Sequence, residues 1–121
     1  MTKRILIVED HEENRRILRL LLESASYEVI EATTGEEGVT MAEQARPDLI
    51  LMDIQLPGVD GYEATRRIKA NPDLQKIPLI VVTSYALSGD DVKAFEAGCD
   101  AYIAKPVNLR QLLVKVREYL S

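Results

Sequence analysis

The stretch Leu49–Met52 is a continuous apolar run, and it ends in the carboxylate of Asp53. Four further segments are also apolar and rich in Ile, Val or Ala, two of them clearly and two more weakly. Continuous apolar runs of this length, without alternation, are typical of strands that are buried on both faces of a parallel sheet. We predict a strand in each further segment: the clear ones are Ile5–Val8 and Leu79–Val82, and the weaker ones are Tyr27–Ile30 and Ala101–Ala104.

Amphipathic helical patterns lie between these runs, with apolar residues spaced three or four apart. The second helix is expected to be capped by Thr33 or Thr34, and the third is expected over Tyr62–Ala70, just before an Asn-Pro pair. The fourth helix, Asp90–Ala97, has the weakest pattern and has Gly98 as its C-cap. The apolar stripes are Ile17, Leu18, Leu21, Leu22 and Ala25 for the first helix, Gly38, Met41, Ala42 and Ala45 for the second, and Leu109, Leu112, Leu113, Val116 and Leu120 for the fifth.

The predicted strands and helices alternate five times, with no break in composition and no linker. Such alternation builds a parallel sheet with helices on both faces. Five strands in 121 residues suit the flavodoxin-like (βα)5 arrangement with strand order 2-1-3-4-5. We therefore predict an α/β fold in which residues 1–121 form a single domain.

Composition narrows the class of protein. With 15 Lys and Arg against 20 Asp and Glu, the formal net charge is −5, which argues against direct binding to nucleic acid. The apolar runs are too short to span a bilayer, and only four apolar residues follow Lys3-Arg4, which argues against a signal peptide. The single cysteine, Cys99, excludes an intramolecular disulfide and is expected to pack as a small buried hydrophobe. We expect a cytoplasmic protein without membrane association.

Polar residues follow the predicted strands at the edge where such folds bind ligands. In the predicted order, strands 1 and 3 are neighbours, so three carboxylates are expected to converge there. With one nearby lysine the formal charge is about −2, which a divalent cation balances, and an oxygen-only donor set favours Mg²⁺. An aspartate beside Mg²⁺ and lysine is suited to accept a phosphoryl group. The residues in question are Glu9, Asp10, Asp53, Thr83, Ser84 and Lys105.

Taken together, these stretches resemble the receiver domain of bacterial response regulators, the CheY-like family, over essentially the whole chain. The Met52–Pro57 stretch and the lack of an output domain are most similar to stand-alone single-domain receivers of the DivK type. The resemblance implies a phosphoacceptor signalling switch of a two-component system or phosphorelay, which is no enzyme beyond its own aspartyl phosphorylation and dephosphorylation. The matching stretches are Ile5–Asp10, Pro47–Pro57, Gly61, Thr83 and Lys105-Pro106.

The resemblance also implies a role for each residue of the site. Asp53 would be the phosphoacceptor, and Lys105 would contact the phosphoryl group from a position preceding a cis bond to proline. Mg²⁺ would be bound directly by Asp10, by Asp53 and by the backbone carbonyl of Gln55. Glu9, which stands where the family often has Asp, would act through a metal-bound water.

A switch pair follows from the same resemblance. The Thr83 hydroxyl would move to a phosphoryl oxygen, and the ring of Tyr102 would turn inward into the space that it leaves. The change would alter the surface of helix 4, strand 5 and helix 5 for protein partners. Gln55 and Tyr85 would flank the phosphoryl group and influence how fast water removes it.

The implied partners are proteins. The phosphoryl donor would be a histidine kinase or histidine phosphotransfer protein, docked over helix 1 and the loops around Asp53, and a downstream protein target would read the switch. We expect a monomer or a weak dimer. The candidate docking residues are Asn14, Arg15, Ile17 and Leu18.

Several alternatives stay open. The chain is also compatible with a receiver domain excised from a hybrid kinase or larger response regulator, or with a degenerate receiver that only binds proteins. A hydrolase is disfavoured because Gln55 stands where aspartate-nucleophile phosphatases place a second acid, and a nucleotide or flavin binder would need a glycine-rich phosphate loop. We expect His11 to be an exposed residue opening helix 1 without a metal role, because Mg²⁺ does not favour imidazole.

Overall fold

The computed structural model describes residues 2–83 and 90–120. In these ranges five strands alternate with five helices, and all the strand pairs are parallel. The sheet order is β2-β1-β3-β4-β5, which confirms the predicted α/β flavodoxin-like topology. The elements are β1 Arg4–Val8, α1 Glu12–Ser24, β2 Glu28–Ala32, α2 Gly35–Ala45, β3 Leu49–Asp53, α3 Gly61–Ala70, β4 Leu79–Thr83, α4 Asp90–Ala97, β5 Ala101–Ala104 and α5 Leu109–Leu120.

The core forms two layers, one on each face of the sheet. Successive strand residues point to opposite faces, so Leu6 and Val8 of β1 enter one layer while Ile5 and Ile7 enter the other. Every residue of β3 and β4 is buried. This burial on both faces explains why these strands are continuous apolar runs in the sequence.

The second strand differs from its prediction. It spans Glu28–Ala32 rather than Tyr27–Ile30, because the Tyr27 N–H donates to the Leu22 carbonyl and so completes the end of α1. Among the described strands, this one lies at the edge of the sheet and pairs with β1 alone. Its first four residues are exposed or half-exposed, which explains its weak apolar pattern.

The predicted helix boundaries hold closely. Thr34 caps α2 by accepting a hydrogen bond from the Glu37 N–H, and Glu37 accepts one in return from the Thr33 N–H. Helix α4 covers Asp90–Ala97 as predicted, and Gly98 ends it with φ +108. Within the described residues, no helix combines the length and the apolar character that crossing a bilayer requires.

Not every residue in the apolar stripe of α1 is buried. Ile17 is 50% exposed, and α1 buries Leu18 and Leu22 instead. Helix α1 contributes Leu18 and Leu22 to the core layer on one face of the sheet, so its buried stripe is narrower than the apolar pattern suggests. Leu109 of α5, 40% exposed, is a second such case.

Candidate functional site

The carboxyl ends of β1 and β3 bring the acidic residues together. Pairing of Val8 with Met52 places Glu9, just after β1, beside Asp53 at the end of β3. Each of Glu9, Asp10, His11 and Asp53 has a ligand atom within 4.8 Å of the others. The predicted convergence of three carboxylates is therefore confirmed, and the imidazole of His11 joins them.

Lys105 reaches the cluster from the end of β5. Its Nζ lies 2.8 Å from Glu9 Oε1 and 3.5 Å from Asp53 Oδ1. Its backbone N–H donates to the Thr83 carbonyl at 2.6 Å, and its bond to Pro106 is cis, as expected. The lysine charge thus sits between two carboxylates that are almost completely buried.

This environment shifts the pKa values of the two buried carboxyl groups in opposite directions. Burial alone would raise the pKa of Glu9, but the Lys105 hydrogen bond and the His11 N–H hold it well below its usual range. Burial and then the charge of Glu9 raise the pKa of Asp53 to about 6, and Lys105 offsets only part of that rise. The site therefore carries more negative charge than its one lysine can balance.

The donor chemistry of the site fits a hard divalent cation. Asp10 Oδ1 is buried and accepts no hydrogen bond among the described residues, although the His11 Nδ1 lies 3.2 Å away. A buried carboxylate oxygen without a hydrogen bond destabilises the fold unless a cation or water contacts it. Together with the oxygens of Glu9 and Asp53, it makes an oxygen-rich group of the kind that Mg²⁺ binds.

We expect Asp53→Asn to stabilise the metal-free protein by about 1–3 kcal/mol at neutral pH. A carboxyl whose pKa is raised in the native state stabilises the fold below its usual pKa of 3.8, and this contribution is lost as the pH rises through about 6. Asparagine keeps the acceptor for the Ile54 N–H but carries no charge. The advantage of the variant should therefore grow between about pH 4 and pH 7, as measured by denaturant unfolding in EDTA.

Asp73→Asn is the matched control, because it removes the same charge from a side chain that is 67% exposed. It should change the free energy of unfolding by less than about 0.5 kcal/mol at either pH. Added Mg²⁺ should narrow the gap between wild type and Asp53→Asn, since it stabilises the charged site. An Asp53→Asn variant that is less stable than wild type at neutral pH would contradict the charge argument.

The loop after β1 is held by a residue whose role the sequence did not reveal. The Arg15 guanidinium donates to the carbonyls of Glu9 and Asp10, at 3.1 and 3.2 Å. From the sequence, Arg15 is expected only on a docking face. Its bonds to carbonyls five and six residues earlier follow no helical spacing, so no sequence signal indicated them.

Glycine permits close packing directly beneath Asp53. A Cβ on Gly61 would lie 2.1 Å from the Asp53 carbonyl oxygen and 2.6 Å from the Ile54 Cα. Gly35 and Gly38 are similar, because added Cβ atoms would meet the Val59 carbonyl oxygen and the Val8 side chain. None of these three glycines has space for a side chain, and at Gly61 this brings the start of α3 directly against Asp53.

A groove opens beside the acidic cluster, between α1 and the segment that follows β5. Its volume is about 540 Å³. Of the four predicted docking residues, Ile17 and Asn14 line it at the surface, whereas Leu18 is only 6% exposed and belongs mainly to the core. The groove is lined by Glu9, Asn14, Ile17, Leu18, Lys105, Pro106, Val107 and Leu109.

The remaining predicted site residues that the structure describes lie at or near the same edge of the sheet. Thr83 is fully buried at the end of β4, and Gln55 is exposed two residues beyond Asp53. Tyr102 is half-buried against the layer that contains Val81. Ser84 and Tyr85 lie outside the described residues.

The fold and the acidic residues at the carboxyl edge of the sheet together match a known domain family. The model of the response regulator receiver domain matches residues 5–117. The chain belongs to the response regulator receiver domain family. This membership confirms the resemblance drawn from the strand-end motifs, and places the chain among two-component signalling proteins, whose partners are in general kinases or phosphotransfer proteins.

Individual relatives agree with the family. The polar-differentiation response regulator DivK of Brucella ovis is 43% identical over 121 residues, covering 100% of this chain and 98% of DivK. The receiver domain of a sensor histidine kinase from Pseudomonas aeruginosa, solved with a magnesium ion coordinated in its active site cleft, is 37% identical with a TM-score of 0.91 and 98% of each chain covered. A CheY-like receiver domain protein from Methanospirillum hungatei is 40% identical with a TM-score of 0.90, covering 99% of this chain and 94% of that one.

Proposed function

We propose that Asp53 accepts a phosphoryl group from a phosphohistidine donor and so switches this receiver domain between two signalling states. The observation that carries the proposal is the burial of Asp53, 4% exposed, between Glu9 and Lys105 at the carboxyl edge of the sheet. Family membership and the likeness to DivK support it. We propose one receiver domain over residues 1–121, in a cytoplasmic protein.

The proposed reaction transfers a phosphoryl group from the imidazole nitrogen of the donor to the carboxylate of Asp53. A carboxylate oxygen of Asp53 forms the new O–P bond as the N–P bond of the donor breaks, and the electron pair leaves on the donor imidazole nitrogen. Lys105, 3.5 Å from Asp53 Oδ1, offsets charge on the transferring oxygens, and the Thr83 hydroxyl is proposed to donate one hydrogen bond to them. No other substrate is turned over, so the protein acts as a switch.

A divalent cation completes this charge balance. Mg²⁺ would be held by Asp10, Asp53 and the backbone carbonyl of Gln55, with Glu9 acting through a water. When bound, the ion supplies positive charge beside the phosphoryl oxygens. The magnesium ion in the cleft of the Pseudomonas aeruginosa receiver supports this assignment.

The partners are proposed from the surfaces beside the site. A histidine kinase or histidine phosphotransfer protein would dock over α1 and the groove that Ile17 lines, which reaches Lys105. The added phosphoryl charge would act through Thr83 and Tyr102 on the surface of α4, β5 and α5, where a downstream protein target binds. We propose that the protein is a monomer or a weak dimer.

The deciding experiment is intact-protein mass after incubation with acetyl phosphate. Wild type should gain one phosphoryl group only when Mg²⁺ is present, and Asp53→Asn should gain none, because an amide is not a nucleophile for this transfer. Asp73→Asn, which removes an exposed aspartate, should behave as wild type. Addition to Asp53→Asn at the wild-type level would overturn the assignment. Absence of any addition, even with a histidine kinase as donor, would instead favour a receiver that only binds proteins.

A further inference from the structure

The side chain of His11 adds a nitrogen donor to the acidic cluster. His11 is the single histidine of the 121-residue chain. It occupies the N-cap position of α1, but its side chain makes no capping hydrogen bond. Instead its Nδ1 lies 3.2 Å from Asp10 Oδ1 and 3.4 Å from Glu9 Oε2. The imidazole, 65% exposed, therefore lies beside the cluster and is hydrogen-bonded to the Glu9 carboxylate rather than to the helix.

These distances match ligand positions around one cation. Neighbouring ligands on an octahedral cation with bonds of about 2.1 Å lie about 3 Å apart, and opposite ligands lie about 4.2 Å apart. The four ligand atoms of Glu9, Asp10, His11 and Asp53 lie within 4.8 Å of one another, which is close to the span of such a coordination shell. Because Lys105 donates to Glu9 Oε1, the Glu9 oxygen that lies beside the imidazole is Oε2.

A second observation points to a ligand at the same place. Asp10 Oδ1, the oxygen nearest to Nδ1, is buried and accepts no hydrogen bond from the described parts of the chain. A cation between Asp10 and His11 would contact the unsatisfied Asp10 Oδ1 and could take Nδ1 as a second ligand. Such a cation must accept nitrogen as well as oxygen, which Zn²⁺, Co²⁺ and Ni²⁺ do readily and Mg²⁺ does not.

We infer that His11 is a direct metal ligand through Nδ1 and gives this site affinity for imidazole-binding divalent cations such as Zn²⁺, in addition to Mg²⁺. The inference rests on the proposed function, since it assigns one more ligand to the same cation site. Mg²⁺ is held by oxygen atoms alone, whereas Zn²⁺ takes Nδ1 together with carboxylate oxygens. His11 then determines which metals compete with Mg²⁺ for the site. For imidazole-binding cations such as Zn²⁺, this proposal replaces the expectation that His11 has no metal role.

The test is calorimetric titration of untagged wild type and His11→Ala with Zn²⁺ and with Mg²⁺, in a buffer that does not bind metals. Removing a direct nitrogen ligand should weaken Zn²⁺ binding on the order of tenfold or more, while the Mg²⁺ affinity should change by less than about threefold. Alanine removes no helix cap, so the variant should fold. Gln44→Ala, an exposed polar change on α2, is the control and should alter neither affinity.

Nitrogen-15 NMR of the single histidine gives a readout independent of affinity. Zn²⁺ should shift the Nδ1 signal of His11 as a ligand, and Mg²⁺ should not. Cys99 does not compete for the metal at neutral pH, since burial raises the pKa of its thiol to about 11 and keeps it protonated.

The outcomes separate the two proposals. If Mg²⁺ binds wild type but His11→Ala leaves Zn²⁺ affinity unchanged, or if Zn²⁺ shifts Nε2 rather than Nδ1, the inference about His11 is overturned and the proposed function stands. If Zn²⁺ binds through Nδ1 but Mg²⁺ does not bind wild type, the inference holds and the magnesium-dependent function fails.

Discussion

Replacing Lys105 by methionine is expected to lower the free energy of unfolding by about 2–4 kcal/mol at neutral pH in EDTA. Methionine keeps much of the length of the side chain but removes the donor 2.8 Å from Glu9 Oε1. Glu9 is 2% exposed, so its charge would then be buried beside His11, whose backbone N–H donates to Glu9 Oε2, without a lysine to balance it. Removing one partner of a buried ion pair costs far more than the pair itself contributes.

The loss should depend on pH with a defined sign. In the wild type the lowered pKa of Glu9 gives stability that is present above its usual value of 4.5 and is lost as the pH falls below it. Without Lys105, burial dominates and raises the pKa of Glu9. The free energy of unfolding of the variant therefore recovers when Glu9 takes up a proton. The gap between wild type and variant should therefore shrink from about pH 7 to about pH 4 in denaturant unfolding.

Magnesium provides a second measurement on the same variant. With the Lys105 charge removed, the three carboxylates should bind Mg²⁺ more tightly than in wild type, as followed by calorimetric titration. Lys76→Met is the control, because Lys76 is exposed in the segment before β4, at the opposite edge of the sheet. Equal losses of stability in Lys105→Met and Lys76→Met would refute a role for Lys105 in balancing the buried carboxylates.

Gly61→Ala is expected to destabilise the fold by about 2–3 kcal/mol and to slow phosphorylation of Asp53. The added Cβ would lie 2.1 Å from the Asp53 carbonyl oxygen, so the backbone at the end of β3 must shift. Alanine favours the start of α3 by up to about 1 kcal/mol, but this gain is smaller than the cost of a backbone clash. Unfolding measurements and the rate of acetyl phosphate labelling report the two effects.

Gly58→Ala separates steric packing from backbone conformation. Gly58 has φ +73, and the nearest atom to an added Cβ is the Glu36 Oε1 at 3.9 Å, so space is available there. The cost should be about 1 kcal/mol, the usual penalty for a left-handed residue with a side chain. If Gly61→Ala proved no more harmful than Gly58→Ala, close packing beneath Asp53 would not be what positions it.

The strands were predictable where burial on both faces leaves a simple pattern. Segments such as Leu79–Val82 are apolar throughout because helices cover each side of the sheet. At the edge, β2 has charged and half-exposed residues, and its end was predicted two residues too early. The width of the α1 stripe was overestimated for a related reason, since Ile17 is apolar but borders an open groove.

The gathering of Glu9, Asp10 and Asp53 was also predictable from the sequence, because parallel strands in a known order place their carboxyl ends at one edge. Contacts that depend on the direction of a side chain or on close backbone packing were not predictable from the sequence. The imidazole of His11 lies beside Asp10, and the guanidinium of Arg15 donates to two backbone carbonyls. The backbone of Gly61 packs closely against Asp53. The spacing of these residues in the sequence follows no helical or strand period.

The sequence by itself determined the α/β topology, the family and the set of polar residues at one edge, because apolar periodicity records which residues are buried and strand ends are read from it directly. Only the tertiary structure decided that Lys105 bonds to Glu9 more closely than to Asp53, and that the pKa of Asp53 is raised rather than lowered. Those outcomes depend on distances of a few ångströms and on the degree of burial, and packing of the whole chain sets both.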